Sequence, residues 1–333
     1  MTRRRARRRS LAIAVTILGA FAALALAADL IASDLPLLLR HHGHTYVLPC
    51  LTRPAALRGL DNRTLAATMG PDDWALFPPI RQGATSIDRS GDLARLRPPS
   101  TSHPLGTDDA GRDVAARLLH GARRSVTLGL LAAAIAASLG LLLGLLATTS
   151  RGLDAALTRT TTVLIALPAL LLLLSARGLG GGASDLLGLA LVIGLLRAAQ
   201  IARPVRAEAL RLASSDHLTA TRALGASRTR LVLRHTLPGL LPTALTQAAL
   251  AFGHAVALEA TLSFLGAGTP PPNPSWGELL RQAHLYMSPW LILAPGLALA
   301  ILIAAAHTLA QALAPPVVTQ GTSPRDSLEQ TPS

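Results

Sequence analysis

The 333-residue chain contains no lysine, so its formal net charge of +13 at pH 7 comes entirely from arginine. The absence of lysine excludes a Walker A phosphate loop, in which a lysine contacts the β- and γ-phosphates of a bound nucleotide. It also excludes covalent catalysis through a lysine Schiff base. The single cysteine, Cys50, excludes an internal disulfide and a metal cluster held by several thiolates. We therefore expect no ATP hydrolysis, no resident metal and no cofactor in this chain alone.

Charged residues are scarce as well, at 15% of the chain, whereas half of the residues are hydrophobic and the mean hydropathy is +0.42. Two segments, 186–202 and 237–265, are long enough to cross a bilayer although they contain Arg197 and Glu259. Four further runs of spanning length carry no charged side chain: Leu11–Ala28, Ser125–Ser150, Thr160–Ala176 and Leu285–Leu313. The pattern predicts an all-α polytopic membrane protein with six transmembrane helices.

The uneven distribution of arginine between the predicted spans predicts the orientation of the chain. An arginine cluster within residues 1–10 precedes the first span and places that end in the cytoplasm by the positive-inside rule. The loops 151–159 and 203–238 then also face the cytoplasm, and they hold nine arginines, against two in the short outer loops. Both chain termini are therefore expected on the cytoplasmic side.

The predicted organisation has five parts. A cytoplasmic basic segment (1–10) and the first transmembrane helix (11–32) precede a long outer loop (33–121). A five-helix core (122–313) follows, and the chain closes with a cytoplasmic tail (314–333) of disordered composition. The outer loop mixes Pro, Gly, Arg and Asp, which predicts a small irregular cap rather than an independent domain.

The cytoplasmic segment between the fourth and fifth spans is expected to form two short helices joined by a turn. Ser214 or Ser215 can cap the first helix, and Gly225 suits the position after it, where a positive φ is cheap only for glycine. Ser227 can cap the second helix, which Pro238 is expected to end.

A polar helix–turn–helix held at the membrane face by a span on each side suits a docking surface for a soluble partner. An ordinary basic connecting loop is the alternative. A DNA-reading helix–turn–helix is disfavoured because both ends are tied to the bilayer, and we expect no nucleic-acid partner. The candidate docking residues are Leu218, Thr219, Ala220, Thr221, Arg222, Leu224, Gly225, His235 and Pro238.

Three ordered motifs resemble a known family. Thr219–Ser227, followed by His235–Pro238, resembles the cytoplasmic EAA signature of ABC-importer permeases. His103–Asp113, which reads HPLGTDDAGRD, resembles the motif before the second span of peptide and nickel permeases. Glu259–Gly266 and Pro274–Gly277 resemble the close of the fifth span and its outer loop in the same permeases. The resemblance extends over residues 100–313.

The resemblance implies a type I ABC importer permease fold in the bacterial inner membrane, surrounded by the lipid bilayer. It implies that residues 214–238 couple the chain to a separate ATPase. The implied partners are two ATP-binding subunits, a second homologous permease subunit and a periplasmic substrate-binding protein. The implied solute is a peptide, with dipeptides, modified peptides and nickel chelates left open.

Some stretches narrow the resemblance and others depart from it. Asp73–Arg81 looks like part of the long outer loop of microcin-C-type peptide importers. Thr219 stands where the family signature often has an acidic residue, so a salt bridge to the ATPase is lost there. The usual charged ending after the last span is replaced by Gln311–Pro316. These departures leave the choice of ATPase open.

The outer HPLGTDDAGRD motif also contains histidine and aspartate side chains that could ligate a metal ion. A glycine loop with capping aspartates explains the same residues without a metal, and we predict a structural hinge or interfacial helix. The motif residues are Gly106, Thr107, Asp108, Asp109, Gly111, Arg112 and Asp113.

Two ionisable residues in the fifth span, His254 and Glu259, are candidates for a functional role because such groups are costly inside a membrane. Their spacing of five residues places them about 140° apart on a helix. They could line a translocation path or pair neighbouring helices, whereas a proton relay favours closer spacing. An ion-coupled secondary transporter is the alternative function, but the inverted repeats and paired midplane charges that it requires are not evident in the sequence.

Overall fold

The computed structural model describes residues 2–88, 95–178 and 186–315. The chain begins with helix α1 (Thr2–Leu26), which is followed by the short helix α2 (Ala28–Ile31). The basic N-terminal segment is helical and continuous with the first span, which agrees with the good helix propensity of arginine.

The outer region contains a small antiparallel sheet of strands β1 (Leu38–His41), β2 (His44–Val47) and β3 (Trp74–Leu76), in the order β2-β1-β3. Short helices α3 (Pro49–Thr52) and α4 (Asn62–Thr68) lie between β2 and β3. The sheet and helices enclose an apolar cluster of Leu35, Leu39, Cys50, Leu57 and Leu65. The region predicted as a small irregular cap therefore contains some regular structure. The sequence did not predict the sheet, because strands of three or four residues are too short to show a readable alternation.

The second spanning helix, α5 (Val114–Leu146), begins where the Asp113 side chain accepts a hydrogen bond from the Ala116 amide at 2.8 Å. The helix therefore includes residues 114–121, the last part of the segment predicted as the outer loop. The third predicted span is divided into α6 (Arg151–Ala166) and α7 (Ala169–Gly178), which are bent by 80°. The bend lies at Pro168, which lacks the amide hydrogen that a continuous helix needs.

The fourth spanning helix, α8 (Leu186–Ala213), continues through the first part of the predicted cytoplasmic segment. Arg197 consequently lies near the middle of this helix. The remainder of the segment contains α9 (Asp216–Ala223) and α10 (Arg228–Leu231).

A π-helical turn (Val232–Thr236) connects α10 directly to the fifth spanning helix, α11 (Leu237–Phe264). Pro238 lies in the first turn of α11, where its missing amide would have no partner in the helix. The prediction that Pro238 ends a helix is therefore wrong. The last helices are the outer α12 (Trp276–Tyr286) and the spanning α13 (Pro289–Leu313).

The two ends of the chain lie on the same side of the helical core. The Arg7 guanidinium donates hydrogen bonds to the carbonyl oxygens of Ala312 and Ala314, at 2.6 and 2.8 Å. The chain must therefore cross the membrane an even number of times between these contacts. The described residues contain five straight spanning helices, α1, α5, α8, α11 and α13, so the bent pair α6–α7 supplies the sixth crossing. The predicted all-α fold with six spans is confirmed, with the small outer sheet as an addition.

Helices α5 and α8 pack closely because small residues lie at their contact. A methyl group added at Gly140 would lie 2.6 Å from Ile201 Cβ, and one at Gly144 would lie 2.7 Å from Val205 Cγ1. Conversely, a methyl group added at Gly194 of α8 would lie 2.7 Å from Cβ of Ile135 in α5. Small residues at helix contacts are a common means of close packing in membranes, where lipid removes most of the hydrophobic driving force.

Replacement of Gly140 by valine should therefore destabilise the helical core, by about 1–3 kcal/mol as for other overpacked sites. Thermal unfolding of the purified protein in detergent measures the effect. Gly19→Val is the matched control, because Gly19 also lies in a spanning helix but has no atom within 4 Å of the added methyl group. Equal loss of stability in the two variants would contradict the proposed packing.

Candidate functional site

Helix α9 has one buried and one exposed leucine, which give it two different faces. Leu218 is only 5% exposed and lies beside Leu145 of α5 and Ala209 of α8 along a shared cavity. Leu224, at the end of the helix, exposes 89% of its surface. The helix thus directs one apolar side chain into the molecule and presents another outward.

The turn after α9 confirms the conformation predicted for Gly225, which has φ +85° and no atom within 4 Å of an added methyl group. The Ala226 amide donates to the Thr221 carbonyl oxygen at 3.4 Å, the six-to-one hydrogen bond of a glycine C-cap. Ser227 caps α10 as predicted, because its hydroxyl accepts from the Arg230 amide at 3.3 Å. Ser215 occupies the N-cap position of α9, but its hydroxyl donates to the Leu212 carbonyl oxygen instead of capping the helix.

The other predicted docking residues differ in their exposure. Thr221 is half-buried, and His235 is half-buried in the π-turn. The backbone of Thr219 belongs to α9, but its side chain lies outside the described part of the structure. The exposed members of the set are Ala220, Arg222, Leu224, Gly225 and Pro238.

The outer motif is organised around the fully buried carboxylate of Asp108. Its Oδ1 accepts from the amides of Ala110 and Arg112, at 2.9 and 2.8 Å. Its Oδ2 lies 2.7 Å from Arg112 Nε and 3.3 Å from Nε of the buried Arg117. One carboxylate thereby serves two arginines in a region shielded from water. Burial, together with the neighbouring Asp108 charge, raises the pKa of the adjacent Asp109 carboxyl.

The histidine of the same motif bridges two carboxylates. His103 Nδ1 lies 2.8 Å from Asp113 Oδ2, and Nε2 lies 3.3 Å from Asp88 Oδ2. Arg117 Nη1 donates at 3.1 Å to the carbonyl oxygens of Ala84 and Pro272. The motif and Arg117 thus link the start of α5 to the outer region and to the loop before α12. These contacts hold the segments together, which is a structural role.

Glu259 joins α11 to α12. Its carboxylate is buried, and Oε1 accepts hydrogen bonds from the hydroxyls of Ser263 and Ser275, at 2.9 and 3.0 Å. Ser275 is the N-cap residue of α12. His254 points to another side of α11, where it is half-buried and contacts the ring of His307 in a T-shaped arrangement with centroids 5.9 Å apart.

The sequence interpretation did not include His307 or Ser275 among the candidate residues. A signal for His307 was present, because it is the sole ionisable side chain between Tyr286 and Pro316. No comparable signal identified Ser275, since its role depends on the fold that brings the start of α12 beside Glu259.

With this geometry in place, comparison with known proteins identifies the family. Residues 136–318 match the family described as the binding-protein-dependent transport system inner membrane component. A protein of Brucella suis biovar 1 (strain 1330) named as a peptide transport system permease is 41% identical over 244 residues, which cover 71% of this chain and 77% of the relative. The chain therefore belongs to the family of ABC-importer permeases.

Two further relatives and a solved structure are similar. The dipeptide transport system permease protein DppC of Alkalihalophilus pseudofirmus is 32% identical over 232 residues, 69% of this chain and 75% of DppC. The inner membrane ABC transporter permease protein YejE of Escherichia coli (strain K12) is 34% identical over 292 residues, 84% of each chain. A chain of the MetNI methionine ABC transporter, solved in inward-facing conformations, is 22% identical and covers 60% of this chain and 96% of its own length, with a TM-score of 0.46.

Replacement of Asp108 by asparagine should leave two buried arginines without their shared counter-charge. Removal of one partner of a buried ion pair costs about 3–5 kcal/mol, so the free energy of unfolding should fall by that amount. Denaturation of the purified protein in detergent measures it. Asp72→Asn is the control because Asp72 is exposed in the outer region, and a loss no larger than that of the control would show that the Asp108 cluster is not stabilising.

Proposed function

We propose that this chain is one of two homologous membrane-spanning subunits of an importer driven by a separate ATPase dimer. The solute is a peptide that a periplasmic binding protein delivers, and its destination is the cytoplasm. Membership of the binding-protein-dependent family supports the class. The names of the relatives from Brucella and Alkalihalophilus, both peptide permeases, support the solute.

The single observation that carries the coupling proposal is the geometry of α9. Its buried Leu218 fixes the helix to the spanning core, while Leu224 is almost fully exposed at its other end. A partner with an apolar groove can take Leu224 and push on α9. Because α9 follows α8 after only two residues, the displacement passes directly into a spanning helix.

An ion pair extends this lever to a neighbouring span. Arg206 Nη2 of α8 donates to Asp154 Oδ2 of α6 at 2.6 Å, and its Nε also contacts the same carboxylate. This ion pair lies in the C-terminal part of α8, the end that leads into α9. Helices α6, α8 and α9 are therefore linked and can tilt together when the ATPase closes.

We also propose that both termini face the cytoplasm and that the outer sheet faces the periplasm. The excess of arginine in the segments around α6, α9 and α10 supports this orientation. The contact of Arg7 with Ala312 and Ala314 keeps the two ends together in either orientation, so it constrains the number of crossings and not their direction.

Gly225→Val should reduce peptide uptake and transport-stimulated ATP hydrolysis while the protein still inserts in the membrane. Positive φ costs a residue with a side chain about 1–2 kcal/mol, so a decrease of roughly tenfold is expected if the turn sets the position of Leu224. Gly43→Val is the matched control, because Gly43 has φ +77° in an open turn of the outer sheet. Normal uptake by Gly225→Val, or an equal loss in both variants, would count against coupling through α9.

Cysteine labelling tests the orientation directly, since the native Cys50 is only 1% exposed. Val47→Cys in the outer sheet, at a side chain that is 63% exposed, should react with a membrane-impermeant maleimide in spheroplasts. Leu224→Cys should react only after the membrane is permeabilised. The reverse pattern would refute the proposed orientation.

A further inference from the structure

Helix α11 carries a stripe of polar side chains along the side that faces away from α5. Thr243, Gln247, His254 and Thr261 are spaced by four, seven and seven residues, which places them within about 40° of one another on the helix. The first three are half-buried and Thr261 is exposed. A stripe of this kind is unfavourable against lipid, so it indicates contact with a water-filled path.

The neighbouring helices border this stripe on both sides. Ala255 and Leu262 of α11 belong to the same buried apolar cluster as Leu189 and Ile193 of α8. On the other side, Gly253 of α11 lies against α13, where an added methyl group would be 3.4 Å from Ala306 Cβ and 3.6 Å from the His307 ring. The open face of α11 therefore lies between α8 and α13.

Two histidines meet near the middle of the stripe, one from α11 and one from α13, and Arg197 of the neighbouring α8 lies at a similar depth. The His254 ring of α11 contacts the His307 ring of α13 in a T-shaped arrangement, with centroids 5.9 Å apart. Arg197 and His254 lie 11 and 10 residues from the outer ends of their helices, which places both about 15–17 Å along the helix axes from those ends. The three side chains are half-buried, so they are accessible from the path.

The charge of this cluster is not balanced by a carboxylate of the described residues, none of which lies within 4 Å of the three side chains. The Arg197 guanidinium donates to the neutral side chain of Gln200 one turn further along α8. His307 Nδ1 donates to the Ile303 carbonyl oxygen at 2.9 Å. The nearest acidic residue in the sequence of α11, Glu259, is buried on a different side of the helix and accepts from two serines. A charged arginine at this depth normally has an anionic or strongly accepting partner.

We propose that Arg197, His254 and His307 form a carboxylate-binding site in the translocation path, which takes the C-terminal carboxylate of the imported peptide. This inference rests on the proposed function and names the chemistry of one step in it. A guanidinium binds a carboxylate through two parallel hydrogen bonds, and a histidine at its side can add a third donor. Because the site is half-open, the peptide is held only transiently and can move on toward the cytoplasm.

The test uses the complete importer in proteoliposomes, with the binding protein, both permease subunits and the ATPases. Tri-, tetra- and pentaalanine are supplied as free acids and as C-terminal amides, and mass spectrometry of the vesicle contents gives the ratio of acid to amide imported. In Arg197→Gln this ratio should be roughly tenfold smaller than in the wild type, as expected for loss of a charge-assisted hydrogen bond. Any preference of the binding protein for acid over amide cancels when the two ratios are compared, because the same binding protein serves the wild-type and the variant importer.

Two variants serve as controls. Arg197→Lys keeps the positive charge and should retain part of the preference for the acid. Arg203→Gln, which removes an exposed arginine on the same helix that donates to the Thr162 hydroxyl at 2.8 Å, should leave the ratio unchanged. If Arg197→Gln does not assemble, the double variant His254→Gln/His307→Gln gives the same comparison.

The outcomes separate the alternatives. An unchanged acid-to-amide ratio in an active Arg197→Gln importer overturns the site. A proportional loss of acid and amide import also overturns it, because that result is expected if an acidic residue of the second permease subunit is the partner of Arg197. Failure of the wild-type importer to take up any of these peptides, with the ATPases active, instead refutes the proposed solute class and this inference with it.

Discussion

The high cost of an unpaired charge in hydrocarbon is the constraint on which the rest of this structure depends. At the outer end of α5 the carboxylate of Asp108 is shared by two arginines, and at the end of α8 near the coupling segment Arg206 is paired with Asp154. Between these two levels, the buried Glu259 carboxylate accepts hydrogen bonds from two serines. Ion pairs near the ends of the spanning helices thus hold neighbouring segments together. Each of the few ionisable groups between those ends has a defined place in the structure.

The same constraint connects the packing of the core to its proposed motion. Glycines at the contact of α5 and α8 let the two backbones approach closely, and we propose that the two helices move as one unit. Helix α9 follows α8 after two residues and buries Leu218, and α6 is attached to α8 through the ion pair of Asp154 with Arg206. The break at Pro168 lies between α6 and α7, and it provides a place where the moving group can bend relative to the outer part of the molecule.

Much of this architecture could be predicted from the sequence, because long charge-free runs identify spans and glycine identifies a positive φ, as at Gly225. The boundaries were less accurate. Pro238 was predicted to end a helix, but a π-turn lets the chain continue through it, and local composition does not signal such a turn. The outer sheet was missed because its strands are too short for a periodic pattern. The pairing of His254 with His307 depends on the packing of two distant spans.

The central claim is that this chain contributes the path and the coupling surface, whereas a separate ATPase supplies the energy. The most direct measurement compares peptide accumulation in proteoliposomes that contain this chain and its second permease subunit, with and without the ATPase subunits and ATP. We predict accumulation against a gradient only when the ATPase subunits and hydrolysable ATP are both present. Accumulation by the permease subunits alone, driven by an ion gradient, would contradict the account.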